Sequence, residues 1–121
     1  MTTETKRPGA SRFVALELSI EIIDSLYEVV GLIRRRDSGL AQQVFRSASS
    51  IAANLGEAGG RQGKDRRHFF RIAAGSAYET RTHLRVALAW RFLQPHDVQP
   101  TLVLLDRELA ILWRLTRSPT G

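Results

Sequence analysis

Residues 43–79 read QVFRSASSIAANLGEAGGRQGKDRRHFFRIAAGSAYE, two helix-length segments either side of the glycine-rich turn Gly59-Gly60-Arg61-Gln62-Gly63. Folded as an antiparallel helical hairpin centred between Gln62 and Gly63, the segments bring residues to matched levels. Arg46 falls opposite Glu79, Ser50 opposite Gly75, Asn54 opposite Arg71, and Glu57 opposite His68. Gln43, Arg46, Ser47, Ser50, Asn54, Glu57 and Arg61 share an arc of about 100° on the first of these helices. A polar stripe is ordinarily a solvated face. Glycine in mid-helix, however, costs about 1 kcal/mol relative to alanine, and a close approach of the two backbones at Gly75 would explain it. The reading therefore expects a partly buried polar seam made by Arg46, Ser50, Asn54, Glu57, Gly75, Ser76 and Glu79. Arg46–Glu79 is its expected ion pair, and Asn54 is expected to hydrogen-bond across it. Its role is to fix helix register rather than to perform chemistry.

Outward from the hairpin, proline and glycine divide the chain into helical segments. A first amphipathic run covers residues 12–36 and stops at Asp37-Ser38-Gly39; a second covers 40–58, with Asp37 or Ser38 as its N-cap. Gly59 or Gly60 suits a left-handed C-terminal cap. The third run covers 64–93, ahead of Pro95, and the fourth 97–117, with Pro100 tolerable in its first turn. No segment alternates with period two, so strands are not expected. The fold class is all-α, an antiparallel up-down-up-down four-helix bundle over residues 12–117. Residues 1–11 and 118–121 read as tails, the first of them disordered. A chain of 121 residues fits one domain. The absence of cysteine excludes disulfides and thiolate metal sites. No secretory signal or membrane-length apolar run is present, so a soluble cytoplasmic protein is expected, with no membrane partner.

The first and fourth helices carry more apolar surface than one bundle core requires. On the first, Leu16, Ile20, Ile23, Tyr27 and Val30 form one stripe, and Ala15, Leu18, Ile22, Leu26, Val29 and Ile33 a second, about a quarter turn away. On the fourth, Leu102, Leu105, Leu109, Leu112 and Trp113 form the main stripe, and Leu104, Ile111 and Leu115 a smaller one. Surplus apolar stripes mark subunit interfaces. The expected interface of a homo-oligomer is Leu18, Ile22, Leu26 and Val29 with Leu104, Ile111 and Leu115.

Net charge is +6, and a basic small domain is suited to a polyanion. Residues 64–93 hold seven Lys or Arg against two acids. Lys64, Arg67, Arg71, Arg81 and Arg85 share an arc of about 100° with Tyr78. Arginines with an interleaved aromatic suit phosphate contact and base stacking without sequence specificity. RNA or DNA is accordingly one candidate partner, and a protein received by an oligomeric scaffold is the other. The acidic face of the first helix, Glu17, Asp24 and Glu28, offers these arginines an alternative use in salt bridges between subunits. Catalysis is not expected, nor any cofactor or metal. The turn before Lys64 lacks phosphate-loop spacing and follows a helix. A di-iron site needs two Glu-x-x-His motifs, and Glu79 precedes His83 by four residues with no second copy.

The run Gln43-x-x-Arg46-Ser47-Ala48-x-Ser50-Ile51-x-Ala53-Asn54-Leu55-x-Glu57-x-x-Gly60-Arg61 resembles the signature of bacterial four-helix bundle proteins, among them those encoded within intervening sequences of 23S rRNA genes. Phe69-x-x-Ile72-Ala73-x-Gly75-Ser76-x-x-Glu79 matches the second half of that signature, and Ala87 and Phe92-Leu93 agree more loosely. Gly56 and Ala58 depart from it. The resemblance implies a bundle that assembles into five-membered rings. It also implies relation to the accessory protein of diversity-generating retroelements, which binds nucleic acid and a reverse transcriptase.

Overall fold

The computed structural model describes residues 8–117, with side chains from residue 11. Four helices follow one another: α1 (Pro8–Arg34), α2 (Ser38–Gly59), α3 (Gly63–Ala89) and α4 (Pro95–Arg117). Each packs on its two neighbours in the ring order α1-α2-α3-α4, the arrangement of an antiparallel up-and-down bundle. α1 starts at Pro8, so residues 8–11, expected in the tail, are helical; the rest of both expected tails lies outside the described residues.

Asp37 caps α2 as expected, its side chain accepting the Leu40 N–H at 3.0 Å. The left-handed cap expected at Gly59 or Gly60 does not form: Gly60 has φ −93° and ψ 5°, and the positive φ falls on Gly63 at 58°. The chain leaves α2 through the Gly60 and Arg61 N–H groups, which bond the Glu57 and Ala58 carbonyls at 3.1 Å each. α3 ends at Ala89, four residues before the expected boundary, because Arg91 takes the left-handed conformation with φ 66°. The Arg91 and Phe92 N–H groups then bond the Leu88 and Ala87 carbonyls at 3.0 and 2.9 Å, a Schellman closure.

The core resolves which apolar stripe is which. Leu18, Ile22, Leu26 and Val29, expected at a subunit interface, are buried inside the bundle, as are Ile111 and Leu115, while Leu104 is partly buried against the same core. A helix with neighbours on two sides buries a wider face than a surface helix, so α4 places Leu105, Leu109 and Leu112 inside together with Ile111 and Leu115. Trp113, read as part of the main stripe, is 60% exposed. On α1 the stripe left over is the other one: Ile20 and Tyr27 are exposed, Leu16 and Ile23 half-buried, and only Val30 is buried.

Both α2 and α3 bury many small residues: Ala41, Ser47, Ala48 and Ala58 on the first, and Ala73, Ser76, Ala77 and Ala87 on the second. Small side chains allow close contact, and this is the most extensive helix pair in the bundle.

Candidate nucleic-acid interface

The hairpin register agrees with level-matching to within about a residue. Arg46 pairs with Glu79, the Ser50 and Ser76 hydroxyls hydrogen-bond at 2.8 Å, and the Thr80 hydroxyl donates to Ser47 Oγ at 2.8 Å in the interior. The contents of the seam differ from expectation. The Arg46–Glu79 side chains are 54% and 38% exposed, so solvent screens the pair to at most about 1 kcal/mol. Asn54 bonds the Ser50 carbonyl and hydroxyl of its own helix, at 2.8 and 3.0 Å, rather than reaching across. A methyl group added at exposed Gly75 would meet nothing within 4 Å, so no close backbone approach explains this glycine. Glu57 is held by Arg61, which spans Glu57 at 2.9 Å and Asp65 at 3.0 Å and lies over the Phe69 ring. The buried link is Ser47–Thr80, two small hydroxyl residues that the polar stripe concealed. Burial raises the Glu79 carboxyl, but hydrogen bonds to His83 and Arg46 outweigh it and hold the pKa below the usual carboxylate value.

Along the outer face of α3, Lys64, Arg71 and Arg85 are exposed with no ion pair or hydrogen bond among the described residues, and Tyr78 beside them is 56% exposed. Arg67 is half-buried and engaged. Arg81, at the edge of the arc nearest α4, is bound to Asp106 at 3.3 Å. Of the six residues named from the sequence, four thus remain available to a ligand and two are partly committed to the fold. The acids Glu17, Glu21, Asp24 and Glu28 of α1 are exposed and form no ion pair within the described chain.

Three features escaped sequence reading. Arg66 Nε donates to the Ala58 carbonyl at 3.2 Å, satisfying the C-terminal end of α2. Desolvation, and then the nearby Arg66 charge, lower the Arg12 pKa; Arg12 Nε is buried with no hydrogen-bond partner. Glu108 is fully buried on α4 with neither carboxylate oxygen bonded, and burial pushes its pKa up to about 8, against a smaller opposing effect of Arg107. Spacing held a signal for Glu108, which lies three residues after Leu105 and four before Leu112 on the apolar stripe. No three His, Asp or Glu side chains gather as metal ligands among the described residues.

Fold and surface together define an all-α four-helix bundle with a register-locked central hairpin and a basic outer helix. The family model of the 23S rRNA-intervening sequence protein matches residues 12–114, and the chain belongs to that family. Its fold is also that of a crystal structure from Bacteroides thetaiotaomicron, a protein of unknown function from the S23 ribosomal protein family. The two share a TM-score of 0.80 at 18% identity, over 89% of this chain and 99% of the other. None of the curated proteins matches the chain.

Proposed function

We propose that this protein is a non-catalytic, homo-oligomeric bundle of the cytoplasm that binds RNA or DNA without sequence specificity through the outer face of α3. The observation that carries the reading is the group Lys64, Arg71 and Arg85, exposed and unpaired around exposed Tyr78. Phosphates would be held by the cations, with Tyr78 offering a stacking surface. Assembly, a pentamer by family resemblance, would repeat the face in each subunit and convert weak contacts into avidity. The test is a gel shift with single- and double-stranded RNA and DNA over a salt series. The parent should bind with affinity falling linearly on a log–log plot against salt. Combined Arg67→Gln, Arg71→Gln, Arg81→Gln and Arg85→Gln should abolish that binding. Absence of binding by the parent, or no change in the variant, would refute the reading.

A second reading, a protein-binding scaffold or accessory subunit, is favoured by a different observation. A groove of about 250 Å³ between α1 and α2 is lined by Ile23, Leu26, Tyr27, Val30, Phe45 and Ala48, with Arg34 and Ser49 at its margin. Capture of a partner by the parent but not by a Phe45→Asp variant, without nucleic-acid binding by either, would favour this reading over the first.

A further inference from the structure

A second basic site lies on the other flank of α4, where no acid forms an ion pair with it among the described residues. Arg107 and Arg114 both line a cleft of about 350 Å³ between α1 and α4, completed by Ser11, Val14, Ala110 and Ile111. The two arginines are seven residues apart, two turns of one helix, so their stems emerge on the same side about 10 Å apart along the axis. Ala110 lies between them, and its small side chain leaves the space over the cleft floor open. Both arginines are exposed, and neither makes an ion pair or hydrogen bond among the described residues. No acid stands three or four residues from either along α4, and Glu17 and Glu21 of α1 do not line the cleft. Buried Glu108 feels the charge of Arg107 but makes no hydrogen bond to it. Arg114 offsets the dipole at the end of α4; Arg107, in mid-helix, has no such duty.

We propose that the cleft formed by Ser11, Arg107, Ala110 and Arg114 is a phosphate-binding site, in which the two guanidiniums close on one phosphate group over Ala110. Planar guanidinium forks suit phosphate oxygens, which accept paired N–H donors, better than they suit halide ions. The Ser11 side, on α1, provides the opposite rim. Such a phosphate can come from a free ion, from a mononucleotide, or from a nucleic-acid strand. The proposal does not rest on the α3 reading, because the cleft shares none of its residues.

The experiment titrates the full chain with inorganic phosphate, with adenosine monophosphate and with a single-stranded oligonucleotide, by calorimetry at fixed ionic strength. Three proteins are compared: the parent, Arg107→Gln/Arg114→Gln, and Arg71→Gln/Arg85→Gln, each first checked for unchanged helical circular dichroism. The parent should show saturable binding of at least one of these probes, weakened tenfold or more in the cleft variant and retained in the α3 variant. Equal binding of phosphate and the mononucleotide identifies a small phosphate as sufficient; binding of the oligonucleotide alone identifies the strand. Equal affinity of the parent and the cleft variant for every probe overturns the proposal, as does no saturable binding by the parent. Loss of oligonucleotide binding only in the α3 variant, with phosphate and mononucleotide binding unaffected by the cleft substitutions, upholds the α3 reading while overturning the cleft. Loss only in the cleft variant does the reverse.

Discussion

Glu108 shares the inward stripe of α4 with Thr101, Leu105, Leu112 and Leu115 and is fully buried without a hydrogen bond to either carboxylate oxygen. Ionised, it would place an uncompensated charge in the core, so the folded chain keeps it protonated up to about pH 8, against 4.5 as the ordinary value. Between those two pH values the folded state holds a proton that the unfolded state releases. Stability is therefore fully present below about pH 4.5 as far as Glu108 is concerned, and is lost as pH rises through about 8. The loss within the window is about 1.4 kcal/mol per pH unit. Urea midpoints measured from pH 5 to 9 should fall with pH in the parent, and Glu108→Gln should flatten that slope. Glu108→Leu should also raise the midpoint at pH 8, since an apolar side chain needs no hydrogen bond there. An equal pH slope in parent and Glu108→Gln would show that other groups carry it. The Arg46–Glu79 pair behaves oppositely: exposed, it should lose under about 1 kcal/mol on Arg46→Ala. Thr80→Ala, which strips the buried bond to Ser47, should cost about 1–3 kcal/mol in the same assay.

At the scale of the helix, two positions carry backbone costs that packing does not require. Gly75 is helical, exposed and open around its Cβ position, so Gly75→Ala should stabilise the protein by about 1 kcal/mol. Arg91 sits left-handed in the Schellman closure of α3, and Arg91→Gly relieves about 1 kcal/mol of strain. That gain is offset in part by the exposed bonds from the Arg91 guanidinium to the Leu88 and Ala89 carbonyls, at 3.3 and 3.2 Å. Thermal melts of the two variants should both shift upward, with Gly75→Ala the larger shift; a downward shift at Gly75 would contradict the open space around its Cβ position. The hairpin was legible from sequence because helix geometry fixes the levels of residues around a short turn. What filled the seam was not, because Asn54 found a bond within its own helix and Gly75 turned outward. α1 was legible as a helix but not in rotation. Its two stripes have comparable apolar content, and only contact with both α2 and α4 selects Leu18, Ile22, Leu26 and Val29 for the core. On α4, Glu108 was spaced as a core residue, yet its charge type argued for solvent.

Across the whole molecule, the antiparallel order brings the start of α1, the end of α2, the start of α3 and the end of α4 to one pole. Arg12, Arg61, Lys64, Arg66, Arg67, Arg114 and Arg117 therefore belong to the same end of the bundle, though they are scattered in sequence. Charge read along α3 alone underestimates that polarity, which only the fold assembles. The acids left unpaired on α1 lie beside its exposed apolar stripe, where Ile20 is half-exposed and Tyr27 is 82% exposed. Next to that stripe runs the α1–α2 groove with Phe45 on its far side. If the oligomer buries this surface, the residues that govern assembly are those the core does not use. Ile20→Asp combined with Tyr27→Asp should then keep the helical circular dichroism of the parent and reduce the sedimenting species to the single chain of 13.6 kDa. Ile22→Asp, two residues from Ile20 but in the core, should instead unfold the chain, because a buried unpaired charge costs about 4 kcal/mol or more. A parent that already sediments as a single chain, or a double variant that assembles as the parent does, would remove this face from any assembly. Unfolding of the double variant at the temperature that unfolds Ile22→Asp would mean that both stripes of α1 are structural, contrary to the exposure of Ile20 and Tyr27.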